Sequence, residues 1–212
     1  MKLINKFSAI LFDFDGVLID SIDVMNKAWN EIRINYKLEI EFKKYKSHIG
    51  IPIEKILSNL NIDSKLHDSI QKDYSKITRQ NKNMIKLNQH AIWILNWLKE
   101  NSFLTGIVTS KDEIRTRELI EYFQLDVNSV VTPEMTDKGK PSSEPIIYAA
   151  NNLEVQTKQI LYIGDMKSDM ICASNAQCKY LHYLNGYEKL HNQCYGGEIN
   201  SLKEIKEYLT FL

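Results

Sequence analysis

Four short segments of this chain carry side chains able to do chemistry. Asp13 and Asp15 stand two apart and run into Gly16. Thr109 and Ser110 close a second apolar run, Lys140 sits in Gly139-Lys140-Pro141, and Asp165 follows Gly164 with Asp169 four residues on. Taken singly, each has a plain reading. An Asp-x-Asp beyond a strand is a cap and a turn residue. Asp165 and Asp169 are acids of the kind that start helices. Thr109 is a strand residue or cap, and Lys140 a solvated loop lysine. Together they say more. Four carboxylates in one cleft repel, at a cost that only a cation among them offsets. Hard oxygen ligands suit Mg²⁺, which takes one or two carboxylates, waters and a substrate phosphate.

The elements around these segments alternate. Ser8 to Phe14, Phe103 to Thr109, Ser129 to Thr132, Ile160 to Ile163 and Tyr180 to Leu184 read as short buried strands. Helical stripes separate them: Ala91/Ile94/Leu95/Leu98, Ile114 to Phe123, Ile146/Ala149/Ala150/Leu153, Met170 to Ala176 and Leu202 to Leu212. Strands alternating with helices imply a parallel sheet with right-handed crossovers. From Asp20 to Arg79 the character is helical, without a convincing strand. Met25/Ala28/Trp29/Ile32 and Ile53/Ile56/Leu57/Leu60 each keep helical spacing, and Pro52 suits a first turn. The expected fold is α/β, a Rossmann-like doubly wound parallel sheet formed by residues 1–18 and 83–212. A helical cap of about four helices, residues 19–82, is inserted after the first strand. So inserted, it overlies the carboxyl ends of the strands, where open α/β sheets bind ligands.

Composition bounds the function. The 212 residues carry 27 basic and 27 acidic side chains and are 43% hydrophobic, which excludes a disordered chain. A zero net charge gives no support to nucleic-acid binding through bulk positive charge. Cys172, Cys178 and Cys194 make an odd set with no Cys-x-x-Cys, as expected of free thiols in a reducing compartment. The first residues are too polar for a signal peptide, and no stretch approaches the roughly 18 apolar residues of a membrane helix. The expectation is a soluble cytoplasmic protein, a monomer or homodimer, whose partner is a small phosphorylated metabolite and neither nucleic acid nor membrane.

The motifs Asp13-Phe-Asp15-Gly16-Val17-Leu18-Ile19-Asp20-Ser21, Val108-Thr109-Ser110-Lys111, Gly139-Lys140-Pro141 and Gly164-Asp165-Met-Lys-Ser-Asp169 stand in order along the chain. The ordered set resembles the haloacid dehalogenase-like hydrolase superfamily, and within it the phosphoglycolate phosphatase-like branch with a small helical cap. The resemblance runs from Ala9 to Leu212. It implies a Mg²⁺-dependent phosphatase acting through an aspartyl phosphate on Asp13, with Asp15 as general acid and then base. It further implies that Asp13, the Asp15 carbonyl and Asp165 hold the metal, supported by Asp169. Thr109, Ser110 and Lys140 would bind the phosphoryl oxygens, helped by backbone N–H groups after Asp13. Related dehalogenases lack the second aspartate, so Asp15 points to phosphoryl transfer. The β-phosphoglucomutase-like mutases, the alternative reading, carry a histidine ten residues after that aspartate, where this chain has Met25. A catalytically silent binding protein on the same fold is the third reading, and the intact motif set argues against it. By the same resemblance the cap loop His48-Ile49-Gly50-Ile51-Pro52 would select the substrate through Lys46, Ser47, His48 and Gly50. Arg33, Arg79 and Lys111 are further cations that could meet an anion. Two departures from the family pattern are Ser143, where a proline is common, and Ile85-Lys86-Leu87-Asn88, where relatives often have a proline–glycine turn.

Overall fold

A computed structural model describes residues 6–190 and 196–210; Cys194 and the ends of the chain lie outside this description. Six parallel strands form one sheet in the order β5-β4-β1-β6-β7-β8. They are β1 (Ala9–Phe12), β4 (Leu104–Val108), β5 (Ser129–Val131), β6 (Ile160–Gly164), β7 (Lys179–Tyr183) and β8 (Glu198–Ile199). Renumbered within the sheet, this is the doubly wound order 3-2-1-4-5-6, and the direction of winding reverses between β1 and β6. Helices α5 (Ala91–Glu100), α6 (Glu113–Tyr122), α7 (Glu144–Asn152), α8 (Lys167–Asn175) and α9 (Glu204–Thr210) make the crossovers and the closing layer.

β1 is apolar without interruption because both its faces are covered. Ile10 and Phe12 pack with Ile94, Leu98 and Ile205 on one side. Ala9 and Leu11 pack with Ile146, Ala149 and Ala173 on the other. The period-2 alternation of a strand thus splits four residues between two cores. β1, β4, β5 and β7 end one or two residues before the sequence suggests, while β6 runs one residue further, through Gly164.

The insert holds four helices: α1 (Ile22–Asn35), α2 (Phe42–Lys46), α3 (Ile53–Asn59) and α4 (His67–Gln80). Its core is separate from the other two, built around the fully buried Trp29, which stacks on Tyr45 at 4.4 Å between centroids. The indole N–H donates to the Ile40 carbonyl at 2.8 Å, so the ring is buried with its polar atom satisfied.

Two elements depart from expectation. Ile19–Asp20 (β2) pairs antiparallel with Lys86–Leu87 (β3), so the two chain crossings into the insert are laced together. Two-residue strands carry no periodicity to read. Asn88 then donates to the Val17 and Gly16 carbonyls at 2.8 and 3.1 Å, doing by side chain what a turn does by backbone. β8 lies in a stretch whose polarity reads as loop; an edge strand of two residues need bury only Ile199.

Candidate active site

The loop ends of β1, β4 and β6 bring together all the strand-end residues singled out in the sequence. Asp13 leaves β1 with its N–H on the Ile163 carbonyl at 2.8 Å. Its Oδ1 accepts from Lys140 Nζ at 2.9 Å and from the Phe14 N–H at 2.7 Å. That Phe14 donor is therefore taken by Asp13 itself rather than left for a ligand. Lys140 Nζ also meets Asp169 Oδ1 at 2.6 Å, where Tyr162 adds a hydroxyl at 2.9 Å. Asp169 Oδ2 accepts from the Met166 N–H at 3.0 Å, the reciprocal side of a capping box at the start of α8. Asp169 is thus fully committed, and it fixes Lys140 behind Asp13.

Asp165 is the opposite case. Its Oδ2 accepts from the Tyr187 N–H at 2.6 Å, while Oδ1 is buried with no hydrogen-bond partner. Two glycines admit this carboxylate. At Gly16, with φ +88°, an added Cβ would lie 2.2 Å from Asp165 Oδ2; at Gly186 it would lie 2.2 Å from Asp165 Cβ. Oxygens of Asp13, Asp165 and Asp169 gather within 4.8 Å of one another. Burial, and then the charges of Asp13 and Asp169, hold the Asp165 carboxyl well above the usual range. Burial and then Asp169 push Asp13 up to about 7, against the pull of Lys140. An orphaned buried oxygen among crowded carboxylates, with one lysine between three acids, fits a metal ion.

Asp15 stands on the other side of the exit from β1. Lys111 Nζ pairs with its Oδ2 at 2.9 Å, and the Ser21 hydroxyl donates to Oδ1 in a short hydrogen bond. The Tyr187 hydroxyl braces Ser21 at 3.1 Å and accepts its N–H at 2.8 Å. Thr109 is 5% exposed and its Oγ1 accepts the Lys111 N–H at 3.1 Å.

A cavity of about 290 Å³ opens between sheet and insert, lined by Asp13, Asp15, Thr109, Ser110 and Gly50 among others. Lys140, Asp165 and Asp169 lie behind that surface. The loop after α2 touches down on the core: the Gly50 carbonyl accepts from Ser110 at 2.9 Å and from Ser168 at 3.2 Å. Gly50 has φ +98° and its Cα faces Ser168, so the backbone itself makes the contact. Lys46, Ser47 and His48, by contrast, do not line the cavity. The helical turn puts Tyr45 and Ile49, four apart, on the inner face and carries the three residues between them outward. Ser47 is exposed and bonds back to the Lys44 carbonyl. Arg33 is not part of the lining, and Arg79 pairs with Glu118 at 2.8 Å on the outside.

Residues missed by the sequence reading are Ser21, Tyr45, Tyr74, Arg115, Tyr162 and Tyr187. Arg115 had the plainest signal of these: it follows Lys111 by four residues, in the first turn of the helix that starts beyond it. Tyr187 had no signal, since it arrives from a loop 166 residues away from Ser21.

Residues 10–183 match the family model described as haloacid dehalogenase-like hydrolase. A phosphoglycolate phosphatase of Nitrosospira multiformis is 26% identical over 79% of both chains. The pyrophosphatase PpaX of Bacillus cereus is 23% identical over 82% of both. Among solved structures, a hydrolase from Pseudomonas syringae superposes with a TM-score of 0.86 at 20% identity, covering 95% of this chain and 97% of that one.

Proposed function

The chain belongs to the haloacid dehalogenase-like hydrolases, and from that premise we propose that it is a Mg²⁺-dependent phosphatase of small phosphate monoesters. The observation that carries the reading is Asp13: a buried carboxylate at the cavity wall, with Oδ1 tied to Lys140 and Phe14 and Oδ2 left without a hydrogen bond among the described residues. Such an oxygen is a positioned nucleophile. Attack of Oδ2 on phosphorus breaks the bond to the leaving oxygen, which departs with its electron pair and takes a proton from Asp15. Asp15 then accepts a proton from the water that opens the aspartyl phosphate, releasing phosphate and restoring Asp13. Thr109 offers its hydroxyl and Ser110, whose own hydroxyl is given to Gly50, its backbone N–H to the phosphoryl oxygens, and Lys140 offsets the charge that grows there. Asp13, the Asp15 carbonyl and Asp165 would hold the Mg²⁺, with Asp169 in support. Bound there, the ion supplies positive charge to the phosphoryl group.

Met25 lines the same cavity as Asp15. A thioether relays no proton, which disfavours a mutase. The intact Asp13, Asp15, Thr109, Lys140 and Asp165 disfavour a silent binding protein. A cavity of about 290 Å³ favours a small phosphorylated metabolite over nucleic acid or membrane as partner. Among the described residues no helix is long and apolar enough to cross a membrane. A soluble cytoplasmic enzyme, monomeric or homodimeric, completes the proposal.

The test is phosphate release from a panel of phosphorylated metabolites, with Mg²⁺ and with EDTA. Turnover of several small monoesters that stops with EDTA is expected. No release from any member would sink the reading.

The metal also has a signature in stability. Without it, folded Asp13 and Asp165 hold protons to higher pH than in the unfolded chain, where both ionise near 3.8. The folded state then binds more protons, so stability falls as pH rises, and the share from Asp13 is lost through about 7. The melting temperature in EDTA should therefore drop between pH 5 and 8. Mg²⁺ at a hundred times its Kd at pH 6 should restore about 2.7 kcal/mol there, roughly 5–10 °C, and the same concentration should restore more at pH 8, where fewer protons compete. A melting temperature indifferent to Mg²⁺ at both pH values counts against the site.

A further inference from the structure

One cation at the cavity has no part in the phosphoryl chemistry. Arg115, on α6, is 5% exposed and lines the cavity. Its backbone N–H is bonded to Asp112, but its guanidinium has no hydrogen bond or ion pair among the described residues. A buried guanidinium without an anion is costly. The neighbouring charges do not relieve it. Asp15 is paired with Lys111. Asp112 is spent as the N-cap of α6. Glu118, one turn along, is held by Arg79. Glu54 and Glu134 are exposed at the mouth.

A second polar group stands near it. Tyr74, on α4 of the cap, is 7% exposed, and its buried hydroxyl has only the neighbouring Tyr45 hydroxyl within reach, without a well-formed hydrogen bond. Its ring lies 5.9 Å from that of Tyr45, and the Arg115 charge acts on both phenols. Both Tyr45 and Tyr74 line the same cavity as Asp15. A donor fork from the core and a hydroxyl from the cap thus face the space that the leaving half of a substrate must fill.

We propose that Arg115 and the Tyr74 hydroxyl form a subsite for an anionic group, a carboxylate or a second phosphate, on the leaving half of the substrate. The inference rests on the phosphatase reading above. A guanidinium matches two oxygens of one oxyanion at once, which a polyol does not offer. Because one donor comes from each domain, an anionic leaving group also ties the cap to the core.

The experiment measures kcat/KM with Mg²⁺ for phosphoglycolate, pyrophosphate and 2-hydroxyethyl phosphate, the last being the uncharged counterpart of the first. The reading is the ratio of each anionic substrate to the neutral one. In Arg115→Gln the ratio should fall about 10–100-fold, chiefly through KM. The substrate whose ratio falls identifies carboxylate or phosphate. Tyr74→Phe, which keeps the ring and so the packing, should lower the same ratio by about 3–10-fold. Ratios unmoved in both variants overturn the subsite, as does a wild-type preference for the neutral ester. Equal losses on all three substrates in Arg115→Gln and Arg115→Lys also overturn it, because they mark a structural role. If the wild-type protein releases phosphate from none of the three nor from the wider panel, the phosphatase reading itself falls, and the subsite with it.

Discussion

Asp13→Asn is expected to lower kcat by at least about 10⁴-fold while the protein stays folded. The substitution is nearly isosteric, so the Phe14 N–H and Lys140 contacts at Oδ1 survive in outline. The loss is specific to the free oxygen: an amide nitrogen does not attack phosphorus. Stability should not suffer. Burial and the Asp169 charge push the Asp13 carboxyl up to about 7, so the ionised form is disfavoured, and a neutral side chain relieves that repulsion. Lys140 keeps Asp169 as a partner at 2.6 Å. Two measurements check this. Rapid acid quench and intact-mass analysis should find a phosphoryl adduct on the wild-type chain and none on the variant. Thermal melts should place the variant at or above the wild type at pH 8. Retention of more than a tenth of the turnover would remove Asp13 from the nucleophile's role.

Lys140→Met is the second large effect, and it falls on stability as well as rate. Lys140 is 1% exposed and stands between Asp13 and Asp169. Its charge is what makes those burials tolerable, and the two carboxylates in turn hold the ammonium above its ordinary range. Removing one partner from a buried ion cluster costs about 3–5 kcal/mol, because the other charges remain without compensation. For a chain of this size that is a fall of roughly 6–20 °C in melting temperature. Adding Asp169→Asn should return part of the loss, since the double variant buries one charge fewer. A thermal double-mutant cycle reads this coupling directly. Turnover should drop about 10²–10³-fold with the lost charge. A melting temperature within about 2 °C of wild type, less than the shift of 1 kcal/mol, would mean that the cluster is not held as described.

Much of this was legible because the sheet's interior writes itself into sequence. The runs around Ile10, Ile107 and Ile163 are apolar on both faces and end in polar residues at the cleft, so strand, direction and site can be read together. The cap was equally visible, since Met25, Ala28, Trp29 and Ile32 keep one helical face. Short elements were not. β2, β3 and β8 have two residues each, too few for any period to show. The inward face of the cap loop is hard to read for a related reason. Polarity points to Lys46, Ser47 and His48, whereas the turn that follows α2 directs Tyr45 and Ile49 inward beside Gly50. Tyr187 matters through a contact 166 residues away in sequence, and a residue type alone does not announce this.

The position of β1 at the sheet's centre sets a timetable for synthesis. Ala9 pairs with Leu104 on one side and Ile160 on the other, about 95 and 150 residues downstream. At about 5–20 residues per second, the ribosome delivers the second neighbour roughly 8–30 s after the strand itself. In that interval Ala-Ile-Leu-Phe is an apolar ribbon with an unpaired edge, while the intervening helical insert can already bury its Trp29 core. The strand that ends in Asp13 is therefore among the first to be made, and it waits about 150 residues for its second neighbour. Nascent-chain exposure, and the chaperones that shield it, fall on the segment that leads into the candidate site.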